Sequence, residues 1–245
     1  MRDILHTAAV MAAAASTAVL APVAVALSLS NERAPDPVLK LWCDNLLRAA
    51  GVQSEVQGLE RLPAGQAVYV CNHQSNLDPV LVFAKLGKHL RFIAKQELFR
   101  IPIFGAALRA TGMIPVDRTG SDRDREAIDN AVEAVRSRVS ILFFAEGTRD
   151  PRGTLRPFKK GAAVLAISAQ VPLVPLAVAG TKDVMQKHSL LIHGGRPAEL
   201  FVGEPITTEG LTLDDRDALT EKAHAAVAQL LASANARVEE RLHHG

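Results

Sequence analysis

The chain has 245 residues and a formal net charge of +2, enough for one sizeable α/β domain and too balanced for bulk charge to point to nucleic acid or an acidic partner. Its two cysteines, Cys43 and Cys71, sit in segments that read as a helix and a strand without metal-ligand spacing, so neither a disulfide framework nor a metal site is expected. Single Trp42 and Tyr69 remove the stacking platforms that single-stranded nucleic-acid binders need.

Residues 4–29 contain no formally charged side chain, a length that can span a bilayer. Residues 1–30 read as a hydrophobic membrane anchor, with a cleaved signal ending near Ala24, Val25 and Ala26, or an Ala-rich buried helix, as the alternatives. Many Ala and few Leu leave its depth in the leaflet open. Residues 31–245 read as one further domain. A polar, proline-containing joint at 31–37 leads to Val38, Leu41, Trp42, Leu46 and Leu47 at helical spacing, which predicts a short amphipathic helix.

Residues 66–71 form an apolar run bounded by Pro63 and Gly65 upstream and polar residues downstream, a buried strand. Ser121 and Asp124 predict a capping box for a helix whose apolar face is Ile128, Ala131, Val132 and Val135. Residues 139–144 and 173–179 read as further buried strands. Leu219, Ala223, Val227, Leu230, Ala234 and Val238 make the stripe of a helix that covers the sheet. Strands alternating with helices predict an α/β fold, a mostly parallel central sheet flanked by helices, with its site beyond the carboxyl ends of the strands.

The polar motifs lie there. In Asn72-His73-Gln74-Ser75-Asn76-Leu77-Asp78-Pro79 the His and Asp are five apart, about 140° on a regular helix, so they meet only if the helix starts after His73. Pro79 suits a first helical turn, which predicts Asp78 as N-cap and His73 in the loop before it. A carboxylate on one ring nitrogen fixes the tautomer and leaves the other to take a proton. Taken alone, the pair is better explained as a helix cap and a loop histidine.

Other motifs change that balance. Phe144-Ala145-Glu146-Gly147-Thr148-Arg149 puts a carboxylate, a glycine, a hydroxyl and a guanidinium directly after a buried strand. Gly112 to Arg118 reads as a strand ending in Asp117 and Arg118, by itself a surface ion pair. Arg149, Arg152, Arg156, Lys159 and Lys160 crowd together against Asp150 alone, a density suited to phosphate as well as to a solvated basic loop. Val171-Pro172-Leu173-Val174-Pro175 frames an apolar strand that fills the core.

In this order and spacing, the His73–Asp78, Gly112–Arg118, Phe144–Arg149 and Val171–Pro175 blocks resemble the glycerolipid acyltransferase family, most of all bacterial 1-acyl-glycerol-3-phosphate acyltransferases. The resemblance covers roughly residues 38–205 and includes Lys95, Pro102, Gly105 and Phe158-Lys159-Lys160-Gly161. It implies that His73 is the general base and Asp78 its partner, that Arg118, Glu146, Gly147, Thr148 and Arg149 form the acceptor site with Lys95 and Lys159 as helpers, and that Pro175 belongs to the fourth block. Pro115 stands where an aromatic residue is usual, and Ala145 where a proline usually precedes the Glu; neither change removes a polar group.

The implied chemistry is transfer of an acyl group from a thioester to the 2-hydroxyl of a lysophospholipid acceptor, by direct attack, with no cofactor beyond acyl-CoA or acyl-carrier protein as co-substrate. The implied partners are acceptor, acyl donor (acyl-carrier protein among them) and bilayer, at the cytoplasmic side of the inner membrane. Acylation of another hydroxyl, a thioesterase and a non-catalytic lipid-binding module are the rival expectations.

Overall fold

The computed structural model describes residues 1–87, 89–116, 122–137, 139–150 and 154–244. Its strands are β1 (Gln53–Gln57), β2 (Val68–Cys71), β3 (Leu90–Lys95), β4 (Ile114–Val116), β5 (Ser140–Phe144), β6 (Leu173–Ala179) and β7 (Pro197–Val202). They form one sheet in the order β1-β7-β6-β2-β5-β3-β4. β2 pairs in parallel with both β5 and β6, and β3 with both β4 and β5. β7 runs antiparallel to β6 and carries β1 parallel to itself. The mostly parallel sheet is as expected, and the reversed pair at one edge is the addition.

The helices are α1 (Arg2–Ala15), α2 (Thr17–Ser28), α3 (Asp36–Ala49), α4 (Leu77–Leu86), α5 (Phe104–Ala110), α6 (Asp122–Arg136), α7 (Gly161–Ala169), α8 (Thr181–Val184) and α9 (Arg216–His244). Side chains alternate across a strand, so Tyr69 and Cys71 of β2 pack with Leu142, Val174, Leu176 and the buried faces of α3 and α4, while Val68 and Val70 pack with Ile141, Leu165 and the faces of α6, α7 and α9. All four residues of β2 are buried. A strand covered on both faces must be apolar throughout, which is why residues 68–71 show no polar alternation.

The predicted helices form with small shifts. On α6, Ala131 and Val135 are buried and Val132 packs against them; the expected capping box of Ser121 and Asp124 falls outside the described residues and side chains. On α9 the buried stripe runs through Leu231, with Leu230 only partly covered. On α3 Cys43, Leu46 and Leu47 face the core, and Leu41 is exposed.

α1 and α2 are separated only at Ser16, itself in helical conformation, and 2–28 is a helix long and apolar enough to cross a membrane. About half of its residues are exposed and the rest partly covered, save Ala21 and Ala24, which are buried in its second half, so it is no buried core helix. It runs alongside α3. A ring nitrogen of His6 bonds the Ala49 carbonyl at 3.0 Å, and Trp42 donates through Nε1 to Thr17 at 3.0 Å. The joint that follows is tied to the start of β3, where Arg91 donates to the Glu32 carbonyl and pairs with Asp36 at 2.8 Å. The apolar helix is thus docked on the domain that carries the motifs.

Candidate active site

The site forms beyond the carboxyl ends of β2, β5 and β6, where the loops after three neighbouring strands converge. β2 ends at Cys71, and Asn72 then continues its pairing by side chain, accepting from the Val178 N–H at 2.8 Å and donating to the Val178 carbonyl at 2.9 Å. This locks the start of the motif loop onto β6.

From there the chain folds around Asp78, which is completely buried. Its Oδ2 accepts from the Gln74 N–H at 2.6 Å, the Ser75 N–H at 2.8 Å and His73 Nδ1 at 2.7 Å. Its Oδ1 accepts the hydroxyl of Thr181. Oδ2 accepts two backbone N–H groups and so carries no hydrogen of its own, which makes Nδ1 of His73 the donor to it. In the neutral ring, Nε2 then holds the lone pair.

The placement of Asp78 corrects one expectation. α4 begins at Leu77 with Asn76 as N-cap, so Asp78 lies inside the first turn and its side chain caps the preceding loop. Pro79 tolerates this position because the N–H groups of a first turn have no intrahelical acceptor, and its missing donor costs nothing there.

β5 supplies the other side. The ring of Phe144 stacks on that of His73, with centroids 4.3 Å apart and planes 28° apart. Two residues on, Glu146 spends both oxygens on backbone: Oε1 accepts from the His73 N–H at 2.6 Å and Oε2 from the Arg156 N–H at 3.0 Å. The resemblance implied a substrate contact at this position, and the geometry makes Glu146 a positioning residue for the loops carrying His73 and Arg156. Burial pushes its carboxyl above the ordinary glutamate range, and the two N–H donors pull the other way.

The remaining implied residues divide. Gly147 takes φ +73°, a conformation that strains any side chain, and the end of the Lys159 side chain lies directly over it. Thr148 and Arg149 follow in the same loop, in which the Asp150 N–H donates to the His73 carbonyl at 3.3 Å. Arg149 Nη1 is buried with no hydrogen-bond partner among the described residues, so it is a donor open to an acceptor at this loop.

Lys95 is exposed at the end of β3 on the same edge of the sheet. It pairs in register with Val116, the last residue of β4. Arg118, two residues further, lies outside the described residues. Pro175 sits apart from the others, inside buried β6 opposite Val70, where its carbonyl accepts from Gly203 at 2.9 Å. β6 reaches the site instead through Val178 and Thr181.

On the helix side of the loop lies an apolar cavity of about 290 Å³ between α2, α3, α4 and α5, lined by Asn76 and Pro79 together with Leu20, Trp42, Phe83 and Met113. A partly buried, base-capable histidine, a guanidinium nitrogen with no partner among the described residues and an apolar cavity therefore adjoin one loop. Asn72, Phe144 and Thr181 are not among the site residues expected from the sequence. The rule that parallel sheets place sites at strand ends points to all three, since each stands at or just after the end of β2, β5 or β6.

The raised carboxyl of Glu146 has a testable consequence. Because its folded value lies above its unfolded one, the stability linked to this group is complete below the ordinary glutamate range and declines as pH rises through the folded value. Glu146→Gln does not titrate, so urea unfolding from about pH 4 to about pH 8 should show the wild type losing stability relative to the variant across that window. A difference that stays constant with pH would contradict a desolvated carboxylate here.

A family model described as acyltransferase matches residues 53–179. Among curated proteins, the chain is 37% identical over 173 residues to a chloroplastic 1-acyl-sn-glycerol-3-phosphate acyltransferase of Brassica napus, covering 69% of this chain and 49% of that protein. It is 34% identical over 187 residues to the alpha 1-acyl-sn-glycerol-3-phosphate acyltransferase of Ovis aries, covering 76% of this chain and 65% of the relative. The match thus spans about half the length of the plant relative and just under two thirds of the animal one. In fold it is similar to the crystal structure of the 1-acyl-sn-glycerophosphate acyltransferase PlsC from Thermotoga maritima, with a TM-score of 0.78 over 94% of this chain and 96% of that one, at 23% identity. With the histidine, aspartate, glutamate and arginine blocks in one site and the family match covering more than half its length, the chain belongs to the acyltransferase family.

Proposed function

We propose that the protein moves a fatty acyl group from a thioester to the 2-hydroxyl of 1-acyl-glycerol-3-phosphate, giving phosphatidic acid. The observation that carries this reading is the buried Nη1 of Arg149, which has no hydrogen-bond partner among the described residues, in the loop hydrogen-bonded to His73. Water needs no guanidinium, so a thioesterase leaves this group without a purpose; an acceptor with a phosphate fills it, because Arg recognises phosphate oxygens in pairs. The relatives named above are 1-acyl-sn-glycerol-3-phosphate acyltransferases, which agrees with that acceptor.

His73 Nε2 takes the proton of the acceptor hydroxyl as its oxygen bonds to the thioester carbonyl carbon. The tetrahedral intermediate then collapses with cleavage of the carbon–sulfur bond, and the proton passes to the departing thiolate. Asp78 holds the ring and stabilises its charged form; Glu146 holds its backbone. Cys43 and Cys71 are buried and free, burial pushes the first thiol up to about 12 and the second well above its usual range, and neither is needed as a nucleophile. Arg149 and Arg118 are assigned to the phosphate, Gly147 and Thr148 to the close approach of the loop, and Lys95 and Lys159 to the surrounding positive field.

An acyl chain occupies the cavity beside Asn76 and Pro79. Acyl-CoA and acyl-carrier protein are both acceptable donors on this reading. The exposed apolar helix at 2–28 holds the domain on a bilayer, at the cytoplasmic side of the inner membrane, where acceptor and product reside.

General base catalysis contributes roughly a hundred- to ten-thousand-fold, so His73→Ala should lower phosphatidic acid formation by that factor with the unfolding midpoint unchanged. Undiminished turnover, or wild-type protein that releases only free fatty acid, would contradict the proposal. Arg149→Ala should raise the acceptor KM roughly tenfold or more and leave the donor KM where it was; the reverse pattern would move the phosphate elsewhere.

A further inference from the structure

Between α8 and β7 the chain passes through a segment with neither helix nor strand, 185–196, and that segment touches the site and the apolar helix in turn. Ser75 donates to the Met185 carbonyl at 2.8 Å, and Lys187 donates through Nζ to the Arg149 carbonyl at 3.0 Å. Further on, the Ile192 N–H donates to Thr7 at 3.0 Å, and His193 Nδ1 lies 2.9 Å from the Asp3 carboxylate. Ile192 is buried with Ala50, Leu77 and Val184. These contacts hold the segment in place from both ends.

Its middle is built the opposite way. Leu190 is 71% exposed and Leu191 41% exposed, although the neighbouring Ile192 reaches the core. The turn of α1 to which the segment is bonded presents Ile4 and Leu5, 68% and 63% exposed. Large aliphatic side chains held out on a pinned segment, next to others on a helix of spanning apolarity, make a surface that water disfavours. Lys187 precedes Leu190 by three residues, with a long apolar stem and a charged end, the arrangement that suits the boundary between acyl chains and phosphates.

We propose that the 185–193 segment is a second membrane contact, with Leu190 and Leu191 seated in the acyl region of an anionic leaflet beside α1 and Lys187 at headgroup depth next to Arg149. This rests on the membrane placement of α1 and α2 proposed above. It fixes the orientation of the domain: two contacts, joined by the Asp3–His193 and Thr7–Ile192 bonds, hold α1 along the leaflet surface with the Arg149 loop facing the lipid phosphates.

The test uses the full chain carrying Leu190→Cys labelled with an environment-sensitive fluorophore, since both native thiols are buried. Vesicles of phosphatidylcholine and phosphatidylglycerol, with and without a nitroxide-bearing acyl chain, are added, and flotation is measured in parallel. The protein should float, its emission should shift to the blue, and the nitroxide should quench it. Leu190→Glu combined with Leu191→Glu should weaken vesicle binding by about tenfold or more while the unfolding midpoint stays the same. Protein that floats with the label still in water overturns this contact and leaves the helix as sole anchor. Protein that does not float overturns both.

Discussion

The buried carboxylate of Asp78 dictates the local structure around it. Taking an ionised group out of water costs several kcal/mol even after relaxation, and a hydrogen bond to such a group returns about 1.5–3 kcal/mol. Four donors are therefore required, and they come from two consecutive backbone amides, a ring nitrogen and a hydroxyl on a different strand connection. Satisfying them forces residues 73–75 into a tight loop, starts α4 at Leu77 and brings the end of β6 against the end of β2. The juxtaposition of His73 and Asp78 is the by-product of solving a desolvation problem.

The sheet makes that solution available. β2 sits between β5 and β6 in parallel register, so all three strands end on one side with their following loops adjacent. β2 delivers His73, β5 delivers the Phe144 ring and the Glu146 clamp, and β6 delivers Val178 and Thr181. The N-terminal helix adds a wall of the cavity next to this cluster and leaves its outer side uncovered. On the proposed function, a lipid acceptor presents its phosphate to the loop side and its chain to the helix side.

Much of this was legible in the residues. The 173–179 run marks β6 to the residue, because a strand buried on both faces has to be apolar at every position, and the stripes of α6 and α9 follow from helical period. His73, Asp78, Glu146 and Arg149 were recognisable because their blocks follow β2 and β5 in the order and spacing of a known family. Less legible was anything decided by distant pairing. β1 and β7 are mixed polar and apolar segments whose place at the reversed edge depends on contacts across the whole chain. Thr181 and Asn72 are ordinary polar residues until the fold aims them at Asp78 and Val178. Glu146 looked like a ligand for substrate because sequence does not reveal that two backbone amides consume its oxygens, and Pro175 belonged to a recognisable block while packing on Gly203 inside the sheet.

If Asp78 serves the reaction only by holding His73, the two residues share one path, and their losses do not multiply. The most direct measurement is the turnover of His73→Ala, Asp78→Asn and the double variant, each confirmed folded, with acyl-CoA and 1-acyl-glycerol-3-phosphate. The double variant should be no slower than His73→Ala alone; a loss equal to the product of the two single losses would contradict a base that works through its buried carboxylate.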